Sequence, residues 1–304
     1  MLLAMTQNLA LTALTPDWRS HPARILPLSK IPAFAVSSAG MTGPVILSVP
    51  HGGNHYPIEI TGPSYDRLAR FRSLEDTATS AIGQGVQKNT RPCLSATLSR
   101  AIIDLNRPAT ALDPLLFHES VAPLGAHDPY VGYVKAGYGV MPRLSGMREP
   151  LYDHKWPVGV AQDLINQFYH PYHHKLANLI AEARAQHEAC LVVDIHSMPS
   201  HAQGRALPDL ILGDNFGASL PANMHLEIDH IMTQSRLSYR WNHPYAGGYI
   251  TRQYGNHKGP VYTLQIEVNR ALYCKSPDRI NYDAITTLSR LITKICDRLE
   301  RVLL

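Results

Sequence analysis

The chain has 304 residues, 45% hydrophobic and 17% charged, which is enough apolar material for a sizeable core and excludes a disordered composition. Its 28 basic and 24 acidic residues leave a formal charge of only +4, and the basic residues are scattered rather than gathered into a patch, which argues against a nucleic-acid partner. No apolar run reaches the length of a membrane span, no Lys or Arg precedes Arg19 as a secretory signal would require, and the well-separated Cys93, Cys190, Cys274 and Cys296 suit reduced thiols in a cytoplasm.

In chain order, residues 1–24 read as a variable lead-in and 25–304 as a single domain. The apolar run 45–49 predicts a buried strand that ends at Pro50, His51, Gly52 and Gly53. A helix is predicted over 76–88. The run 101–105 predicts a second strand, ending at Asn106 and Arg107. The stretch from 109 to 157 is rich in Pro, Gly, Tyr and His without clear periodicity, and is expected to form loops that wall a pocket. Apolar residues at helical spacing over 160–186 predict a helix that Pro171 kinks or divides. Strands follow at 191–195, ending at His196, at 209–212, ending at Gly213 and Asp214, and at 262–266, with Glu267 near its end. A closing amphipathic helix is expected over 283–302. Strands alternating with helices imply an α/β fold: a central, mostly parallel or mixed sheet flanked by helices.

His51, Arg107, His196, Asp214 and Glu267 each lie at or just past the C-terminal end of a predicted strand, where open α/β sheets bind their ligands. Sixteen histidines are many for this length, and His51 and His196 are mounted on strand ends as metal ligands would be. Asp194, two residues before His196, shares its strand face and would orient the imidazole. Glu75 and Asp76, at a helix start, are the candidate carboxylate ligands, Asp76 preferred, although acids also cap helices. Glu267, in an apolar strand, needs a metal, a cation or a proton. It reads either as a general base or as a buried ion pair with Arg270 or Arg252. Arg107 and Arg252 are candidate carboxylate clamps and Arg100 a candidate oxyanion stabiliser. Gly247 and Gly248 suggest a mobile loop presenting Tyr249 and Arg252. His170, His173 and His174 lack the glutamate of an HExxH motif and read as packing and polar-edge residues.

Seven blocks together, VPHGGNHYP (49–57), EDTATSAI (75–82), SRAIIDLNRP (99–108), VVDIHSMPS (192–200), LILGDNFG (210–217), PYAGGYITRQYG (244–255) and LQIEVNRALY (264–273), resemble the N-formylglutamate amidohydrolase family, related to zinc carboxypeptidases and aspartoacylases. The resemblance implies a single catalytic domain with a zinc-carboxypeptidase-like fold. It implies hydrolysis of N-formylglutamate to glutamate and formate, the last step of one histidine-degradation route. It further implies one Zn²⁺ on His51, His196 and Asp76, or Glu75 in its place, with Glu267 as general acid/base and Asn106 and Arg107 as a substrate-carboxylate pair. One departure is Asn54, which stands where many zinc carboxypeptidases carry a ligand glutamate. The expected partner is a small N-acyl amino acid. The other readings are deacylation of a different N-acyl amino acid or small peptide, and non-catalytic binding of carboxylate or metal on the same scaffold.

Overall fold

A computed structural model describes residues 23–37, 43–87, 91–202, 204–276 and 279–304. Seven strands form the central sheet: β1 (Phe34–Ser37), β2 (Val45–Val49), β3 (Cys93–Ala96), β4 (Cys190–Met198), β5 (Leu210–Gly213), β6 (Tyr239–Trp241) and β7 (Val261–Asn269). Their order is β6-β5-β7-β4-β2-β3-β1. The central four, β7, β4, β2 and β3, are mutually parallel. β1 runs antiparallel to β3 at one edge, and β5 runs antiparallel to β7 with β6 parallel to β5 at the other. The mixed α/β architecture expected from the alternation of elements is the one observed.

Helices cover both faces: α1 (Tyr65–Arg72), α2 (Thr79–Val86), α3 (Val158–Leu164), α4 (His170–Arg184), α5 (Ala222–Ser235), α6 (Tyr249–Tyr254) and α7 (Tyr282–Leu303). Side chains alternate along a strand, so each strand divides its residues between two cores. Val45, Leu47, Leu191, Val193, Ile195, Leu264 and Ile266 pack under α2, α5 and α7. Ile46, Leu94 and Val192 pack with Tyr172, Leu176 and Leu179 of α4. α7 contributes Ile285, Leu288, Ile292, Ile295 and Leu299, all at most 5% exposed. Each such aliphatic side chain contributes about 1.5–3 kcal/mol of burial. A π-type turn, Ile165–Tyr169, joins α3 to α4 just before Pro171, which has no N–H to continue the helical ladder.

The sheet face under α4 positions the site. On that face β2 runs Ile46 then Ser48, β4 runs Val192, Asp194, His196, and β7 runs Thr263, Gln265, Glu267. The face turns from apolar to polar toward the carboxyl ends, while the opposite face stays apolar.

Three expectations need correction. The run 101–105 is not a strand: Ser99 O accepts from Ile102 N at 2.9 Å and from Ile103 N at 3.3 Å, and the chain coils. Its apolar side chains are at most 1% exposed, so the run signalled burial, which a turn achieves as well as a strand does. The strand of this region is β3. The helix expected from residue 76 begins at Thr79, because Ala78 takes a left-handed φ of 60°. Asp214 ends an antiparallel strand and so lies away from the other strand-end residues. It accepts from Asn242 Nδ2 and Gly217 N at 2.7 and 2.9 Å.

The stretch 109–157 is largely irregular and does wall the cavity, through Tyr133, Tyr138, Gly146 and Met147. Residues 1–22 of the expected lead-in lie outside the described residues. Arg24 opens a short strand, Arg24–Leu26, parallel to His55–Pro57. Among the described residues, no helix is long and apolar enough to cross a membrane.

Candidate active site

His51 follows β2 by two residues. The glycines after it allow the chain to pack against itself: a Cβ on Gly53 would lie 2.5 Å from the Leu98 carbonyl carbon, and one on Gly52 2.9 Å from Val49 Cγ1. The resulting turn aims His51 Nδ1 at His196 Nδ1, 3.0 Å away. Asp76 Oδ2 completes a triangle, 3.3 Å from His51 Nδ1 and 3.2 Å from His196 Nδ1. These three residues are at most 5% exposed, and together they could hold a metal ion.

The far side of each imidazole fixes its tautomer. His51 Nε2 lies 2.7 Å from Asp104 Oδ1, and His196 Nε2 lies 2.7 Å from Asp194 Oδ2. An ionised carboxylate only accepts, so both Nε2 atoms donate and each neutral ring presents Nδ1 as an acceptor. In that tautomer three acceptors converge on one point, an arrangement that either a proton on Nδ1 or a metal cation displacing it resolves. Asp76 and Asp104 are buried and share one ion-pair partner, Arg100, two carboxylates on a single guanidinium, while Asp194 is buried with no arginine in ion-pair distance among the described residues. Burial alone would raise Asp76 and Asp104, yet the Arg100 guanidinium and His51 hold both well below the usual carboxylate range. Burial likewise opposes a charge on His196, but Asp194 and Asp76 outweigh it and raise its pKa well above the usual value.

The floor is braced from beneath. Asp194 Oδ1 accepts from Ser48 Oγ at 2.8 Å, and Ser48 Oγ lies 3.0 Å from the Tyr172 hydroxyl. Asn106 Nδ2 donates to Asp194 Oδ2 at 3.1 Å, beside the His196 donor that shares this acceptor. Asn106 Oδ1 accepts from Ile250 N at 2.7 Å. Glu267 stands level with His196 in the parallel β4–β7 ladder, as Gln265 stands level with Asp194. Gln265 Nε2 donates to Glu267 Oε1 at 2.9 Å, and its own Oε1 accepts from Gly248 N at 2.7 Å. Burial pushes the Glu267 carboxyl up to about 7.

These groups open onto a cavity of about 440 Å³, the size of a small-molecule pocket. His51, Asp76, Arg100, Asn106, Arg107, His196 and Glu267 all reach its wall. Arg100 is committed to Asp76 Oδ1 at 3.0 Å and Asp104 Oδ2 at 2.8 Å. Glu75 points elsewhere, accepting from the Tyr56 hydroxyl at 2.5 Å and from Arg72 Nε at 3.2 Å. Two of the expected substrate residues are not on the wall. Tyr249 opens α6 and packs among Tyr130, Tyr169 and His173, and Arg252 is exposed to solvent. Gly248 holds the loop to the floor instead, since a Cβ there would lie 2.6 Å from Asn106 Cγ. His173 is a packing residue: its Nε2 donates to Leu105 O at 2.9 Å, and its Nδ1 accepts from the Tyr254 hydroxyl at 2.9 Å.

Asp104, Gln265, Tyr245 and Arg270 belong to the site without having been singled out for it. Gln265 was readable, because it alternates with Glu267 in an otherwise apolar strand. Asp104 was hidden inside a run that resembles a strand.

The model of the N-formylglutamate amidohydrolase family matches residues 43–274. The chain belongs to this family of enzymes, which act on an amide bond. It is 27% identical over 241 residues to an N-formylglutamate deformylase of Pseudomonas aeruginosa, covering 76% of this chain and 82% of that one. A deformylase of the same name from Pseudomonas putida is also 27% identical, over 79% of this chain and 85% of that one. The crystal structure of N-formylglutamate amidohydrolase from Ralstonia eutropha superposes with a TM-score of 0.77 at 27% identity, covering 89% of this chain and 98% of that chain. A gene product of Agrobacterium tumefaciens shares the fold with a TM-score of 0.62 at 18% identity, over 88% of this chain and 95% of that one.

Proposed function

We propose that the protein hydrolyses the amide of an N-formyl (N-acyl) acidic amino acid, N-formylglutamate first, in a zinc-dependent reaction that yields formate and the free amino acid. One catalytic domain, residues 25–304, carries it out. The observation that supports this most is the triangle of His51 Nδ1, Asp76 Oδ2 and His196 Nδ1, with edges of 3.0, 3.2 and 3.3 Å, beside a buried glutamate. Donors about 2.0–2.1 Å from a tetrahedral zinc stand about 3.3 Å apart, so this triangle fits one face of the tetrahedron. The names of the relatives support the substrate.

His51, Asp76 and His196 would hold the zinc, which would supply Lewis-acid chemistry toward the amide carbonyl and a water. Glu267 moves the proton. Its Oε1 is held by Gln265, so Oε2 accepts the proton as the water oxygen bonds to the carbonyl carbon, then delivers it to the nitrogen as the C–N bond breaks. A carboxyl raised by burial is suited to both transfers. Arg107 binds a substrate carboxylate and sets the orientation of the amide. Arg100 acts through its two aspartates, keeping Asp76 and Asp104 ionised and aimed. The cysteines, none of them in a disulfide, support a cytoplasmic location, and formate release from N-formylglutamate supports a place at the end of histidine degradation.

The test is metal analysis of the purified protein together with a formate- and acetate-release assay on N-formyl and N-acetyl derivatives of glutamate and aspartate. The expected outcome is one zinc per chain and turnover greatest with N-formylglutamate. Absence of turnover on every member by the zinc-loaded protein would overturn the proposal.

A further inference from the structure

Three arginines reach the cavity wall, and their charges are matched unequally. Arg100 is neutralised by Asp76 and Asp104. Arg107 donates only to carbonyls, from Nε to Tyr138 O at 3.4 Å and from Nη1 to Asn106 O at 3.1 Å, and its guanidinium lies 4.2 Å from the Tyr133 ring centroid. Arg270 donates from Nη1 to Glu75 O. Carbonyls and rings orient a guanidinium without cancelling its charge, and among the described residues neither Arg107 nor Arg270 has a carboxylate within ion-pair distance.

Arg270 is also firmly placed. It follows Glu267 by three residues and begins a short 3-10 turn, Arg270–Leu272, where Asn269 caps Ala271 N at 3.0 Å. With Nη1 tied to Glu75 O, the Nε and Nη2 hydrogens have no acceptor among the described residues. These two form the side-on fork that grips a carboxylate through parallel hydrogen bonds.

We infer that Arg270 is the specificity-determining residue for a second substrate carboxylate, so that Arg107 and Arg270 together select N-acyl amino acids bearing two carboxylates. This rests on the function proposed above and extends it from reaction class to substrate charge. A substrate with a neutral side chain would leave one guanidinium in the cavity uncompensated, and a site built to pair a polar group discriminates strongly against a ligand that lacks it. Arg252, exposed on α6, does not line the cavity.

The experiment measures binding of L-glutamate and L-glutamine by calorimetry to zinc-loaded wild type, Arg270→Met and Arg270→Lys, beside hydrolysis of N-formylglutamate and N-formylglutamine. Wild type is expected to favour the dicarboxylate by roughly 10²-fold in both readouts. Arg270→Met is expected to bring the ratio close to one by losing glutamate while keeping glutamine. Arg270→Lys retains charge without the fork and is expected to give an intermediate ratio. The inference is overturned if wild type shows no preference, if Arg270→Met keeps it or loses both ligands alike, or if Arg270→Lys leaves the ratio unchanged. Should wild type hydrolyse neither formyl compound, the proposed reaction fails, while the glutamate-to-glutamine binding ratio still reads Arg270.

Discussion

The Nδ1 atoms of His51 and His196 face each other across 3.0 Å, and each ring is turned to that position by an aspartate on its far nitrogen. Without a metal a proton on His196 Nδ1, held by Asp76, occupies that gap, and a bound zinc would displace it. Asp104→Asn and Asp194→Asn should therefore each weaken zinc binding by about 10–100-fold, and His196→Ala should abolish it. Competition against a chelator of known affinity measures this. Wild-type affinity in both asparagine variants would show that the carboxylates do not set the tautomers.

Glu267→Gln keeps the shape of the side chain and removes its ability to take a proton. Turnover should fall by about 10²–10⁴-fold with zinc content unchanged, as read by metal analysis and a formate-release assay on one preparation. Loss of zinc together with activity would mean that the glutamate belongs to the metal centre rather than to proton transfer.

Gly248→Ala places a methyl 2.6 Å from Asn106 Cγ. Asn106 has little freedom to retreat, since Ile250 N and Asp194 hold the two ends of its amide. A cost of about 1–3 kcal/mol is expected, with weakened zinc binding, because the displaced amide disturbs the aspartate that orients His196. Gly125→Ala, where no heavy atom lies within 4 Å of the added Cβ, is the control and should leave the melting temperature unchanged.

His173 is buried, and desolvation lowers its pKa to about 4 from 6.5, against the pull of the Leu105 carbonyl. The unfolded chain therefore binds one more proton than the folded chain between those values, and stability falls as pH drops from 6.5 to 4. The loss from this group is about 3 kcal/mol. Urea midpoints across that range should decline less steeply for His173→Gln than for wild type. Parallel curves would show that the histidine titrates normally in the folded state.

Much of the candidate site was legible because parallel strands end in it. His51, His196 and Glu267 stood out as polar residues closing apolar runs, and the central strands carry them to one edge of the sheet. Asp214 fit the same pattern and failed because periodicity gives no strand direction: β5 is antiparallel, so its end lies elsewhere. The 101–105 run failed because complete burial erases the alternation that separates a strand from a coil. Arg270 was readable only as an ion-pair partner, since its relation to the cavity depends on a turn after β7 and on the Glu75 carbonyl, 195 positions away in the chain. Conversely, the glycines before Tyr249 marked a loop, but Gly248 serves close packing on Asn106 and Gly247, at φ +123°, close packing on Thr251.

His196 and Glu267 are mounted on adjacent hydrogen-bonded strands, whereas Tyr133, Tyr138 and Met147 of the cavity wall come from the largely irregular stretch 109–157. The two parts tolerate change differently. A ladder tolerates little change, because sliding it by one residue would invert every side chain on it, while a loop accepts insertions and substitutions without disturbing the scaffold. Substitutions in that stretch are thus expected to reshape the cavity wall without moving His196 or Glu267, and it is the place to begin re-engineering substrate choice.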